Sequence, residues 1–167
     1  GKGVGRIFMI VAWCAGLYLA TQFFGRWEQR QQNPNTEVTS QQGEGYIEVK
    51  LLGNVQGHFV ASGRINNVPV EFLLDTGATD VAVPLDLAWQ LALPKGLPVT
   101  LSTANGRTQG YQTRIDRLQL GAIVLRDVRA VAAPGLDGEQ VLLGMSALNK
   151  LEFTQRGGTM LLRQTTN

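Results

Sequence analysis

From Tyr46 to Leu162 the chain is a succession of short β-favouring runs broken by turn signals, and this rhythm restricts the fold more than any other feature. The candidate strands are 46–51, 57–65, 68–74, 81–83, 98–103, 108–120, 123–133, 141–143, 151–154 and 159–163. Twenty glycines supply the tight turns that so many short strands need. Asn66-Asn67 and Asn105-Gly106 stand where two-residue hairpin turns belong, and the second is the stronger turn signal. Only 85–91 (LDLAWQL) and 145–150 (MSALNK) carry helical spacing. The expected domain, 45–167, is therefore all-β with one or two short helices.

Upstream the character is different. Residues 7–24, IFMIVAWCAGLYLATQFF, contain no charge. As a helix rising 1.5 Å per residue they would span about 27 Å, close to the hydrocarbon thickness of a bilayer. Trp27 follows, suited to the interface. A membrane anchor is the reading adopted; a signal peptide and a buried helix are the alternatives, and Trp13 before Cys14 spoils a lipoprotein-type cleavage site. Residues 1–6 form a short tail whose Lys2 and Arg6 balance Arg26 and Arg30 beyond the span, so the Lys/Arg count is tied and the α-amino group tilts it slightly toward an inside N-terminus. Residues 25–44, GRWEQRQQNPNTEVTSQQGE, are polar and without apolar periodicity, which predicts a tether, flexible after Asn33-Pro34.

Composition removes several kinds of chemistry. A net charge of +2, with Lys and Arg scattered, gives no nucleic-acid footprint. Cys14 is the only cysteine and His58 the only histidine, so neither a cysteine-based zinc site nor a His-rich metal site can be built. No serine sits in a G-x-S-x-G elbow. We expect no metal and no cofactor. His58 reads as a surface or partly buried strand residue, Trp89 as core packing, and Asp116 and Asp127 as solvated strand residues beside arginines.

The segment that carries chemistry is 72–84, FLLDTGATDVAVP. An apolar run, Phe72-Leu73-Leu74, leads into Asp75-Thr76-Gly77-Ala78 and a second apolar run follows. Gly77 allows a close backbone approach, and the Thr76 hydroxyl can bond across to a facing loop. Two such loops face to face would let two carboxylates share one proton and activate a water between them. The bland alternative for Asp75 is a turn residue bonding its own backbone.

Apolar-apolar-Asp-Thr-Gly-Ala resembles the signature of the aspartic proteases, and the chain is similar to their retropepsin-like group. Val141-Leu142-Leu143-Gly144 before a short helix resembles that group's apolar-apolar-Gly element. Ser102-Thr103-Ala104-Asn105-Gly106 falls where the group places its flap hairpin, and Gly157 to Leu162 resembles its last strand. With the apolar span added, the chain resembles a bacterial, membrane-anchored set of such proteins. The resemblance implies a single-lobe closed β-barrel, with Asp75 catalytic and Thr76, Gly77 and Ala78 forming its loop. It implies that Thr103, Ala104, Asn105, Gly106, Asp80 and Leu143 contact an extended peptide or protein substrate; Asp80 reads equally as a cap of the following turn. Two departures from the viral pattern stand out: Met145 where an arginine is expected and Thr79 where an acidic residue is expected. A pepsin-like chain carries two Asp-Thr/Ser-Gly loops and this one carries one, so a homodimer is required. The implied setting is the bacterial inner membrane, single-pass, with the protease domain in the periplasm.

Overall fold

Strands with one buried face must close on themselves or stack, and this chain does both. The computed structural model describes residues 1–103, 106–136 and 138–166. Helix α1 (Lys2–Gln32) comes first and buries no residue. Among the described residues eleven strands follow: β1 (Thr39–Gly43), β2 (Tyr46–Leu52), β3 (Val60–Ile65), β4 (Val68–Leu74), β5 (Val81–Pro84), β6 (Pro98–Thr103), β7 (Gly106–Leu120), β8 (Ile123–Ala133), β9 (Gln140–Leu143), β10 (Glu152–Arg156) and β11 (Thr159–Thr165). Two short helices, α2 (Leu85–Gln90) and α3 (Met145–Leu148), interrupt them.

Seven strands form one sheet in the order β3-β4-β9-β5-β8-β7-β6, and a further pairing of β3 with β7 closes it into a barrel. The seam is short: Arg64 pairs with Gln119 and Ile65 with Leu118. The turn at the seam is Asn66-Asn67, with both φ angles positive (49° and 67°), as a two-residue hairpin turn demands. The remaining strands make a second sheet, β1-β2-β11-β10. Its inner face sends Val49, Leu51, Met160 and Leu162 into the same core as Phe72, Ile115, Leu118 and Leu143. The fold is thus the expected all-β closed barrel with short helices.

Helix α1 is long and apolar enough to cross a membrane, with a mean hydropathy of 1.8 over its most apolar window. It runs on through 25–32, and the segment after it differs from the flexible linker expected there. Asn33 and Asn35 are buried, at 2% and 4% exposure. Residues 39–43 pair along their whole length with β2, from Thr39↔Lys50 to Gly43↔Tyr46. A polar run can be ordered in this way when its amides find main-chain partners, which periodicity does not reveal. Trp89 also departs from expectation: it is 52% exposed, while Ala88 and Leu91 face the core in its place. Its ring instead lies 5.9 Å from the Lys95 ammonium, which also stands 4.2 Å over Tyr111. His58 is exposed in the loop before β3.

Candidate active site

The site begins with an arrangement of three strands. β9 runs parallel to β4, with Leu74 opposite Leu143, and antiparallel to β5 through Ala82↔Leu142. β9 therefore lies between two strands that are consecutive in the chain. The loop joining those strands, 75–80, must pass around the end of β9, and Asp75 is its first residue.

Main-chain bonds lock the loop to that end. The Asp75 N–H donates to the Leu143 carbonyl at 3.1 Å. The Met145 and Ser146 N–H groups donate to Ala78 and Thr79 carbonyls at 2.8 and 2.9 Å. Gly144 is where the two segments cross. A Cβ there would collide with the Asp80 carbonyl and stand 2.8 Å from the Ala78 oxygen, so no larger residue fits. Ser146, which sequence reasoning did not single out, ties the other side: its hydroxyl accepts from the Val81 N–H at 2.9 Å and donates to the Arg129 carbonyl at 2.7 Å. A serine just after Leu-Leu-Gly at a helix start was the available signal.

The Asp75 carboxylate is half-buried. Its Oδ1 accepts the Gly77 N–H at 2.9 Å, and the Ala78 N–H donates to the Asp75 carbonyl at 3.2 Å. The self-bonded turn weighed from the sequence is thus present, but it uses one carboxylate oxygen only; Oδ2 has no protein hydrogen-bond partner among the described residues. Thr76 and Gly77 are exposed and Ala78 is half-buried. Asp80 pairs with Arg129, Oδ1 to Nε at 2.7 Å. Leu143 is 1% exposed and offers Asp75 its carbonyl, with its side chain in the core. Asp127, with a positive φ of 52°, is bridged to Arg114 at 2.8 Å and is mostly exposed.

The expected flap hairpin is formed by β6 and β7, paired from Pro98↔Tyr111 to Thr103↔Gly106. Ala104 and Asn105 lie outside the described residues. Thr103 Oγ1 donates to the Gly106 carbonyl at 2.8 Å. Gly106 has φ +112°, opens β7 and pairs with Thr103. A cleft of about 570 Å³ lies elsewhere: Ser62, Glu71, Leu87 and Gln140 line it, at the far end of β4 from Asp75. None of the 75–80 loop residues line that cleft.

A family model for the gag-polyprotein putative aspartyl proteases matches residues 61–150, more than half of the 167. The chain belongs to that family. The matched aspartyl protease segment includes β4, the Asp75 loop, the β6–β7 hairpin and the β9–α3 lock. Among solved structures, a retropepsin-like aspartic protease from Rickettsia conorii superposes with a TM-score of 0.61 at 24% identity, covering 78% of this chain and 97% of that one. An uncharacterised protein from the cobV 5′ region of Sinorhizobium sp is 36% identical over 115 residues, 67% of this chain and 49% of that protein. An uncharacterised protein of Rickettsia prowazekii (strain Madrid E) is 29% identical over 108 residues, 63% of this chain and 46% of that protein. The chain thus spans about half the length of the curated relatives it matches.

Proposed function

We propose that the protein is a membrane-anchored aspartic endopeptidase whose active site is completed by a second copy. The observation that carries the reading is the Asp75 loop: a carboxylate on a loop tied by main-chain bonds to β9 and α3, with one oxygen holding its own turn and the other without a hydrogen-bond partner among the described residues. Two such carboxylates across a two-fold axis share a proton and hold a water between them. One acts as base as that water attacks the peptide carbonyl; the other protonates the carbonyl oxygen and then assists the leaving amine. Thr76 and Gly77, exposed beside Asp75, would meet the facing loop, and the β6–β7 hairpin would cover an extended substrate. Helix α1 provides the anchor, and we assign the domain to the periplasmic face of the bacterial inner membrane.

One edge of the second sheet suits the dimer. Among the described residues β10 is unpaired on its outer side, all five of its residues are exposed, and Phe153 is 37% exposed. Arg156 and Thr159 close a two-residue turn, so Phe153 and Gln155 direct their main-chain groups outward. A two-fold axis through Thr154 would set Glu152 against the partner's Arg156 and pair both open edges.

Two experiments test the reading. In the full chain held in nanodiscs, Asp75→Asn should abolish cleavage of a peptide library while leaving the unfolding transition in place. Turnover persisting in a clean Asp75→Asn preparation would refute catalysis by this carboxylate. Absence of turnover in the parent, with retained peptide binding, would favour a non-catalytic recognition module. In a Cys14→Ser background, Thr154→Cys should form an intermolecular disulfide, since non-hydrogen-bonded antiparallel partners sit about 4.5 Å apart. Full activity without cross-linking would place the interface elsewhere.

A further inference from the structure

The polar stretch after α1 contains two buried asparagines whose every side-chain bond goes to a strand of the barrel or of the second sheet, or to the other asparagine. Asn35 Nδ2 donates to the Leu52 carbonyl at 2.7 Å and to the Val60 carbonyl at 2.8 Å, and its Oδ1 accepts the Leu52 N–H at 2.8 Å. Its main-chain carbonyl accepts the Ser62 N–H at 3.0 Å. One side chain thereby joins the end of β2 to the start of β3, strands of different sheets. Asn33 heads a row that crosses three strands. Its Nδ2 reaches Ser62 Oγ at 3.1 Å and Glu71 Oε2 at 3.3 Å, and Glu71 Oε1 accepts from Gln140 Nε2 at 2.7 Å. Asn33 Oδ1 accepts the Asn35 N–H at 2.9 Å, which fixes the turn between them.

The helix end is tied in as well. Its last carbonyls lack intrahelical donors; Gln32 receives the Asn54 amide at 3.1 Å and Gln31 the Val55 N–H at 3.4 Å. The Asn35 contacts lie one strand away from the candidate loop. Val60, held by Asn35, pairs with Leu73, and the Leu74 N–H donates to the adjacent Phe59 carbonyl at 2.9 Å. Asp75 is the next residue. Ser62, Glu71 and Gln140 occupy one register row, and β4 and β9 run in parallel from it to Asp75 and Gly144.

We propose that Asn33 and Asn35 are positioning residues that clamp the anchor onto the strand carrying Asp75, making helix, clamp and catalytic loop one mechanical unit. The clamp is independent of activity; its catalytic consequence rests on the endopeptidase reading. The unit of function then starts at Asn33, and the loop is held at a set attitude to the bilayer. A linker lets an enzyme sample substrates at any height within reach; a clamp restricts it to chain segments presented at one height above the membrane.

The test uses the full chain in nanodiscs. Hydrogen exchange is read at the Leu74 and Asp75 amides, with the β10–β11 hairpin as internal reference. Asn35→Ala should speed exchange at both amides by on the order of tenfold, because two carbonyls and one N–H lose buried partners at once. Asn35→Asp should be worse, since it sets a carboxylate against two carbonyls. Asn33→Ala, which leaves the Asn35 bonds intact, is the milder variant should Asn35→Ala not fold, and should loosen Glu71 and Phe72. In the turnover arm, Asn35→Ala should lower kcat with little change in KM. Six Gly/Ser residues inserted between Gln32 and Asn33 should leave exchange and cleavage of a soluble peptide unchanged and remove preference for membrane-tethered peptides at one spacer length. Wild-type exchange at Leu74 and Asp75 in folded Asn35→Ala, or at Glu71 and Phe72 in Asn33→Ala, overturns the clamp. So does an unchanged spacer preference after the insertion. Faster exchange in a protein that cleaves nothing in any form upholds the clamp and rejects the endopeptidase.

Discussion

Gly144→Ala is the sharpest perturbation of the candidate site, because it adds a single methyl where the structure has none to spare. The new Cβ would collide with the Asp80 carbonyl, and it would lie 2.7 Å from that carbonyl's carbon and 2.8 Å from the Ala78 oxygen. All three atoms are backbone, so no side chain can swing aside. Relief requires the 75–80 loop and the β9–α3 crossing to separate by several tenths of an ångström or more. The Met145-to-Ala78 and Ser146-to-Thr79 bonds span that crossing at 2.8 and 2.9 Å and stretch together. Two weakened hydrogen bonds cost about 1–3 kcal/mol and forced overpacking a similar amount, which points to a loss of about 3 kcal/mol. Turnover should suffer beyond stability, since displacing a reacting group by about 1 Å costs roughly a hundredfold. The assay is denaturant unfolding of the full chain in nanodiscs, paired with cleavage of a quenched peptide per folded molecule. Gly158→Ala is the control, because a Cβ there meets nothing within 4 Å. A Gly144→Ala protein matching that control in both midpoint and turnover would refute the crossing as the lock on Asp75.

Ser146→Ala removes the acceptor of the Val81 N–H, a residue with no exposure, and should cost about 1–2 kcal/mol in the same unfolding assay. Gly106→Val places a β-branched side chain at φ +112° and should impair turnover before folding, as the hairpin end contributes little to the core; equal turnover counts against a covering role. A dyad sharing one proton is active only when singly protonated, so the rate should follow a bell with an acidic to near-neutral optimum; a rate that climbs steadily into alkaline pH points to other chemistry.

Much of the barrel was legible because apolar runs and turn residues agree. β4, β6 and β8 begin and end where the runs do, and Asn66-Asn67 turns with both φ angles positive. What escaped was built from polar residues. β1 is TSQQG, with no apolar side chain to announce a strand, and its order comes from the β2 main chain. Asn33 and Asn35 read as linker because a side-chain amide that bonds distant carbonyls leaves no local pattern. Trp89 misled for the opposite reason: helical spacing suggested burial, yet α2 is a short helix that turns its small Ala88 inward. At the site, the carboxylate and the Leu-Leu-Gly element were each visible. Their contact was not, since only the threading of β9 between β4 and β5 brings them together.

That threading gives the protein a timetable. β4, the Asp75 loop and β5 leave the ribosome well before β9, yet the loop takes its shape from Leu143, Gly144 and Ser146. A nascent chain that has already exposed its carboxylate still lacks the strand that aims it. The loop therefore takes its final shape only once the chain has been made through Ser146. The order of elements along the chain thus delays the shaping of the Asp75 loop until β9 has been made.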